Sequence, residues 1–227
     1  MRREPNAAGG ETIWLNPDEA LDLLPRNHRA LVTSEVQSAF AAPQQYFLSL
    51  AENSALAGFQ KYLRKLVKSC RCALVTATAS EMFGGPSVAI AWWAPLVESR
   101  PHHVLIEPGR SPAADGPYLG FEQLFSDVAW VHWDDIGCAG GLLRPGDFLT
   151  VKQYGAISKS KTFPAATSYI FGNSSCGDKL IYNERGEAGY LSHENGRAHS
   201  LGSVPDALNW IFDELRQGKT PEFDYNR

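Results

Sequence analysis

The sequence predicts an α+β fold in one domain, with a central, mostly antiparallel sheet flanked by N-terminal and C-terminal helices. Helical apolar spacing dominates the first seventy residues, short β-forming runs separated by glycine and proline follow, and a well-capped amphipathic helix closes the chain. A length of 227 residues suits one large domain better than two. We expect residues 11–224 to form this domain and residues 1–10 to be a frayed, disordered tail.

The N-terminal part reads as three helices. Asn16 would cap a short one that Pro17 opens and Pro25 stops. Residues 27–40 follow as a second helix. Residues 43–69 form the longest one, because their large apolar side chains recur at helical spacing.

Four cations occupy the last turns of this longest helix, namely Lys61, Arg64, Lys65 and Lys68. Positive charge near a carboxyl-terminal helix end is favourable, and such side chains ordinarily remain in water. A basic binding patch is the alternative reading.

Beyond residue 70 the pattern changes to strands and turns. Short runs rich in β-formers predict strands at 72–78, 87–93, 103–106, 128–133 and 148–152. The Gly84-Gly85 and Gly140-Gly141 pairs are predicted to be turns. Residues 107–120 are rich in proline and glycine and predict an exposed loop.

The last third has the clearest local signals. Strands are predicted at 167–171, 178–182 and 188–192, with turns at 172–177, 183–186 and 194–196. A helix follows, in which Ser203 is the cap, Pro205 opens the first turn and Asp206 stands in the capping-box position. Its apolar stripe predicts packing against the sheet.

Composition restricts the class of partner. A net charge of −4 without clustered basic blocks argues against general nucleic-acid binding. No apolar run approaches the roughly 18 to 20 residues that cross a bilayer. The two N-terminal arginines precede no apolar core, so we expect no signal peptide and a cytoplasmic protein. The four cysteines fit reduced thiols.

No catalytic, metal or cofactor site emerges from the motifs. Cys70 and Cys72 form an incomplete metal pattern. The 172–177 loop has neither the spacing nor the strand-to-helix setting of a hydrolase nucleophile elbow. A site of unrecognised type around Cys176, His193 and Asp178 remains open, because His193 could approach Cys176 across the hairpin.

Tryptophans and acidic residues are the candidates for partner binding. Trp92 and Trp93 are adjacent, and Trp130 and Trp133 are three residues apart, so each pair should divide between the two faces of a strand. One ring of each pair therefore needs cover from the core, a loop or a partner.

The chain from about 148 to 224 resembles the SUKH superfamily, also called the SMI1/KNR4 family. The matching features are the turn 171–178, the strand 179–182, the glycine hairpin 184–189, a polar strand through His193 and Glu194, and the closing helix 204–212. The resemblance implies an α+β fold and an immunity protein that binds and blocks a cognate bacterial toxin, for example a nuclease. It implies no catalytic residues.

We therefore expect a non-enzymatic protein that neutralises a toxin in bacterial competition. The expected binding face carries Glu184, Glu187 and Glu194, and a second choice consists of Trp133, Asp134 and Asp135. An acidic or aromatic face of this kind would complement a basic toxin cleft. An enzyme centred on Cys176, and a scaffold or regulatory module, are the alternatives.

Overall fold

The computed structural model describes residues 1–5, 9–79, 86–93, 103–109, 120–135, 138–174, 176–219 and 221. Within these ranges the chain has the predicted α+β class. Its helices are α1 (Arg26–Arg29), α2 (Ser34–Ala41), α3 (Pro43–Asn53), α4 (Ala57–Ser69), α5 (Glu122–Phe125) and α6 (Val204–Arg216).

The strands belong to one sheet. They are β1 (Arg2–Pro5), β2 (Glu11–Leu15), β3 (Arg71–Ala77), β4 (Ser87–Trp93), β5 (His103–Pro108), β6 (Val128–Asp135), β7 (Cys138–Leu142), β8 (Leu149–Thr150), β9 (Ser168–Asn173), β10 (Lys179–Asn183), β11 (Glu187–Leu191) and β12 (Ala198–Ser203). Their order is β1-β2-β3-β4-β5-β6-β7-β9-β10-β11-β12, with β8 beside β9. Each described pairing is antiparallel.

The N-terminal helices are more divided than predicted. Residues 16–19 form a turn that Glu19 closes by accepting from the Asn16 backbone, and a 3-10 turn follows at Leu21–Leu23 in place of a capped helix. The segment 27–40 is broken between α1 and α2, and Thr33 caps α2. The long segment 43–69 breaks at Ser54, so α3 and α4 pack against each other as a pair.

The expected N-terminal tail contains a strand, which corrects the prediction for residues 1–10. Arg2 to Pro5 pair with β2, and the indole of Trp14 donates to the carboxylate of Glu4 at 3.2 Å. The backbone of β2 would otherwise be an unpaired edge, and β1 satisfies its hydrogen-bonding groups. Residues 6–8 lie outside the described residues.

The main core lies between one face of the sheet and the helices. Phe59 and Tyr62 of α4 meet Phe212 of α6 with ring centroids 4.6 and 5.9 Å apart. The helices approach closely at Gly58, whose amide donates to the Asn209 side chain at 2.7 Å. A side chain at Gly58 would collide with the backbone of Asn209, so glycine permits this crossing. Among the described residues no helix is long and apolar enough to cross a membrane.

The C-terminal elements follow the predicted order, with one strand added. β9, β10 and β11 match the expected runs within one or two residues, and α6 carries the capping box of Ser203 and Asp206. The predicted polar strand through His193 and Glu194 is wrong, because these residues form a turn and the return strand β12 begins at Ala198. The predicted strand 148–152 is reduced to the two residues of β8.

Candidate functional site

The three acidic candidates do not form one cluster. Glu184 is exposed in the turn between β10 and β11, and Glu187 begins β11. Glu194 is exposed in the turn after β11, at the opposite end of that strand. With a rise of about 3.3 Å per residue, β11 keeps the two ends at least roughly 13 Å apart. No compact acidic face therefore exists on the two hairpins.

Glu187 is partly neutralised by its neighbours. Its carboxylate accepts from the Asn183 amide at 2.6 Å and from the Arg185 guanidinium at 2.8 Å. The Asn183 hydrogen bond lowers the pKa of Glu187, and the charge of Arg185 adds to the effect. Glu184 and Glu194 make no hydrogen bond or ion pair with the rest of the described chain.

The prediction that Trp133 belongs to a binding face is wrong. This ring is 1% exposed, because its β6 position faces the main core beside β7. It lies over Gly140, where a Cβ atom would come within 2.3 Å of the indole nitrogen. Trp133 is therefore a core residue and is not on the partner-accessible surface. The backbones of Asp134 and Asp135 end β6, and their side chains lie outside the described residues.

The other tryptophans divide between faces as predicted. Trp92 is buried in the main core, whereas Trp93 lies on the opposite face and meets Trp14 edge-on at 6.4 Å. Trp130 also lies on that opposite face, stacked on His132 at 5.1 Å and covered by the Arg144 guanidinium at 5.4 Å.

The alternative site was predicted around Cys176, His193 and Asp178. A short contact in this site joins His193 to Asp178. The backbone amide and the Nδ1 atom of His193 both reach the same carboxylate oxygen of Asp178, at 2.8 and 2.6 Å. Asp178 is buried, whereas the His193 side chain is 47% exposed. The contact between Asp178 and His193 therefore connects the turn after β11 to the turn between β9 and β10.

Cys176 belongs to that second turn, and its side chain is exposed. The following residue, Gly177, has φ of +92° and lies against the His193 ring, about 3.8 Å from where a Cβ atom would stand. The imidazole thus has an orienting carboxylate, which a general base needs. Among the described residues no group of three His, Cys, Asp or Glu side chains could hold a metal ion.

A surface that sequence reasoning missed is formed by residues 149–163, called here the cover segment. It crosses the sheet face opposite the helices, where its Val151 and Phe163 are buried against Ile170, Ile181 and Leu191. Phe163 fits because β11 has a glycine, Gly189, directly beneath it. The cover segment supplies the outer layer that this face of the C-terminal hairpins requires.

The outer side of the cover segment is apolar at its centre. Leu149 and Tyr154 are each 44% exposed and Ile157 is 70% exposed. These three residues, called here the apolar patch, lie in nine consecutive positions, and the described chain has large exposed apolar side chains elsewhere only at Met1, Leu23 and Leu48. Backbone bonds from Tyr154 to Thr150 and from Ala156 to Val151 close residues 150–156 into a compact turn, with Leu149 just before it and Ile157 just after it.

Charged groups surround the apolar patch. Lys152, Lys159 and Lys161 are exposed on the cover segment, and Lys179 lies over the Tyr154 ring at 4.7 Å. The segment also links the two acidic turns. The Lys159 amide donates to the carbonyl of Gly196, next to the Glu194 turn. The Asn183 side chain, which precedes Glu184, donates to the carbonyl of Thr162.

The signal for this surface was present but ambiguous. Leu149 and Val151 were predicted to belong to the strand 148–152. Which of the two is buried depends on where this segment packs against the sheet, and the sequence does not show that. Comparison of the chain with protein-family models, with curated proteins and with solved structures gives no match.

Proposed function

We propose that this chain is a non-enzymatic immunity protein that neutralises a cognate bacterial protein toxin by binding it through the apolar patch. The observation that carries the proposal is the exposure of Leu149, Tyr154 and Ile157 within nine consecutive residues. Apolar side chains clustered within a charged rim are the anatomy of protein–protein interfaces. The proposed site of action is the cytoplasm, with no nucleic acid, membrane or cofactor involved.

The patch lies on the part of the chain that resembles the SUKH superfamily, on the outer layer over β9, β10 and β11. A partner seated there would meet Glu194 at one edge of the cover segment and the Glu184–Glu187 turn at the other.

The energetics suit an anchored contact. Fully burying an exposed aliphatic or aromatic side chain contributes about 1.5 to 3 kcal/mol. Ile157, at 70% exposure, would gain most of this, and Leu149 and Tyr154, at 44%, would gain less. The surrounding lysines and glutamates would contribute mainly to orientation and to the rate of association. Inhibition requires only that the bound chain cover the toxin's active surface.

The proposal is tested by sequencing the genes beside this chain's gene and co-expressing the chain with the toxin domain that the proposal expects there, with growth as the readout. Ile157→Asp combined with Tyr154→Asp should abolish protection. Leu23→Asp combined with Leu48→Asp is the matched control, because these exposed side chains lie outside the patch. Both doubles must yield folded protein by circular dichroism. Protection that survives the patch double mutant, or that never arises with the wild type, refutes the proposal.

A second candidate, an enzyme with its site at Cys176, is favoured by the Asp178–His193 contact. The same assay separates the two functions. A binding protein should retain protection with Cys176→Ser and with His193→Gln, and should lose it with the patch double mutant. The reverse pattern would assign the function to the thiol and imidazole.

A further inference from the structure

The outer face of α4 carries a stripe of cations. Lys61, Arg64, Lys65 and Lys68 are exposed and follow helical spacing along one side. Residues 53–80 contain these four basic residues, Arg71 of β3 and no acidic residue, although the whole chain has 25 acidic against 21 basic residues. Positive charge is thus concentrated on one helix of an acidic protein.

Mutual repulsion within the stripe opposes helix stability, although Lys68 in the last turn interacts favourably with the helix dipole. Residues three and four apart on a helix are neighbours, so Lys61 repels Arg64 and Lys65, and Lys68 repels Arg64 and Lys65. An exposed helix selected for stability alone would interleave acidic residues at these positions. Surface features that cost stability are typical of functional sites.

The described chain provides little compensation for these charges. The ammonium of Lys65 donates to the backbone carbonyl of Arg216 at the end of α6. Within the ranges that the structure describes, the side chains of Lys61, Arg64 and Lys68 are exposed and make no ion pair or hydrogen bond. Three of the four α4 cations therefore have no partner among the described residues.

We propose that the exposed face of α4 is a second interaction surface, which binds an acidic segment of a partner protein. This surface lies on the helical side of the sheet, away from the apolar patch, so the inference does not depend on the proposed function. The matching ligand presents carboxylates about 5 to 6 Å apart, as Asp and Glu residues do along one face of a helix.

Three other occupants fit the stripe less well. The cations extend only about 10 Å along the axis at 1.5 Å per residue, and a nucleic-acid duplex would bring further phosphates against an acidic protein. The large apolar residues Phe59, Leu63 and Leu66 of α4 are buried and Val67 is partly buried, so the helix has no exposed apolar face that could insert into a bilayer. A second copy related by a two-fold axis would place cation against cation.

The experiment measures binding of a fluorescent oligoglutamate peptide to the full chain by anisotropy at low salt. Lys61→Gln, Arg64→Gln and Lys68→Gln together should weaken binding at least tenfold, and raising the salt should weaken binding to the wild type, because the contacts are exposed ion pairs. Lys65 is left unchanged, since it contacts α6.

Two controls distinguish loss of a local binding site from an effect of net charge and from an effect of misfolding. Arg26→Gln, Arg197→Gln and Lys219→Gln remove the same charge from exposed positions elsewhere and should leave binding within twofold. Arg64→Glu alone should weaken binding while raising Tm by about 2 °C, because it replaces repulsion of Lys61 and Lys68 by attraction. Loss of binding with a higher Tm cannot come from unfolding.

Duplex DNA and phosphatidylserine vesicles are offered as competing probes. Weaker binding of both than of the peptide supports a protein partner. Equal or tighter binding of either one overturns the assignment to protein carboxylates. The proposed α4 surface is wrong if the peptide shows no salt-dependent binding. It is also wrong if the α4 triple variant and the control triple variant lose binding equally.

Discussion

His132 is held neutral inside the protein by its surroundings. Its ring is 5% exposed and stacks on Trp130, and burial lowers the pKa of His132 to about 4. Burial also lowers the pKa of His28, against the opposing charge of Glu11. An unfolded chain protonates histidine near pH 6.5, so both groups favour unfolding as the medium becomes acidic.

The first prediction concerns this acid sensitivity. The folded pKa of His132 lies below the unfolded value, so its contribution to stability is complete above about pH 6.5 and is lost as the pH falls towards 4. Urea unfolding should show that His132→Gln removes about 2 to 3 kcal/mol of the decrease between pH 7.5 and pH 4.5. An imidazole NMR titration with a midpoint near 6.5 for His132 would contradict the account.

Gly140 makes room for Trp133, and this contact gives the second prediction. Gly140→Ala should destabilise the protein by about 1 to 3 kcal/mol, because the new methyl group overlaps the indole ring. Gly146→Ala is the control, since nothing lies within 4 Å of the added atom there, and it should change stability by less than about 0.5 kcal/mol. Equal effects in chemical denaturation would show that the ring does not occupy this position.

The sequence predicted which residues of a strand share a face, but it did not predict which side chains are buried. Alternation is local, so the division of Trp92 from Trp93 follows from the sequence alone. Trp133 is buried because β7 lies beside it. The sequence did not predict β7, because the glycine pair at 140 and 141 indicated a turn. The interpretation of Trp133 as a partner-binding residue was wrong for that reason.

At the scale of elements, α4 combines a well-packed inner face with a self-repelling outer face. The third prediction is that Arg64→Glu increases the free energy of unfolding by about 1 kcal/mol at low salt, by converting the pairs with Lys61 and Lys68 to attraction. The gain should shrink at high salt. Lys219→Glu, which lies beyond α6, is the control and should produce no comparable gain. A destabilised Arg64→Glu variant would contradict the proposed repulsion.

The elements that local chemistry marks were predictable. Ser203, Pro205 and Asp206 specify the start of α6 within one turn of chain, and the structure contains the predicted capping box. β12 was missed because the sequence from Ala198 to Ser203 has few β-formers and becomes a strand by pairing with β11. The break between α3 and α4 was missed because apolar spacing continues across it.

At the scale of the molecule, the part that resembles the SUKH superfamily is continuous with the rest. β7 pairs with β9, which joins the strands of the first two thirds to β10, β11 and β12 in one sheet. Strand order and register depend on pairings between distant residues, so composition predicted the fold class but not this arrangement. The candidate surface was hidden for the same reason, since the cover segment becomes an outer layer only after the hairpins assemble.

The central claim is that a protein partner seats on the cover segment. Hydrogen exchange of the full chain, measured alone and with the toxin domain that the proposed function expects beside its gene, tests this most directly. We predict slower exchange of the backbone amides of residues 149–163 in the complex, with no such change for the Ile157→Asp and Tyr154→Asp double mutant. A complex in which residues 149–163 exchange as fast as in the free chain would contradict the claim.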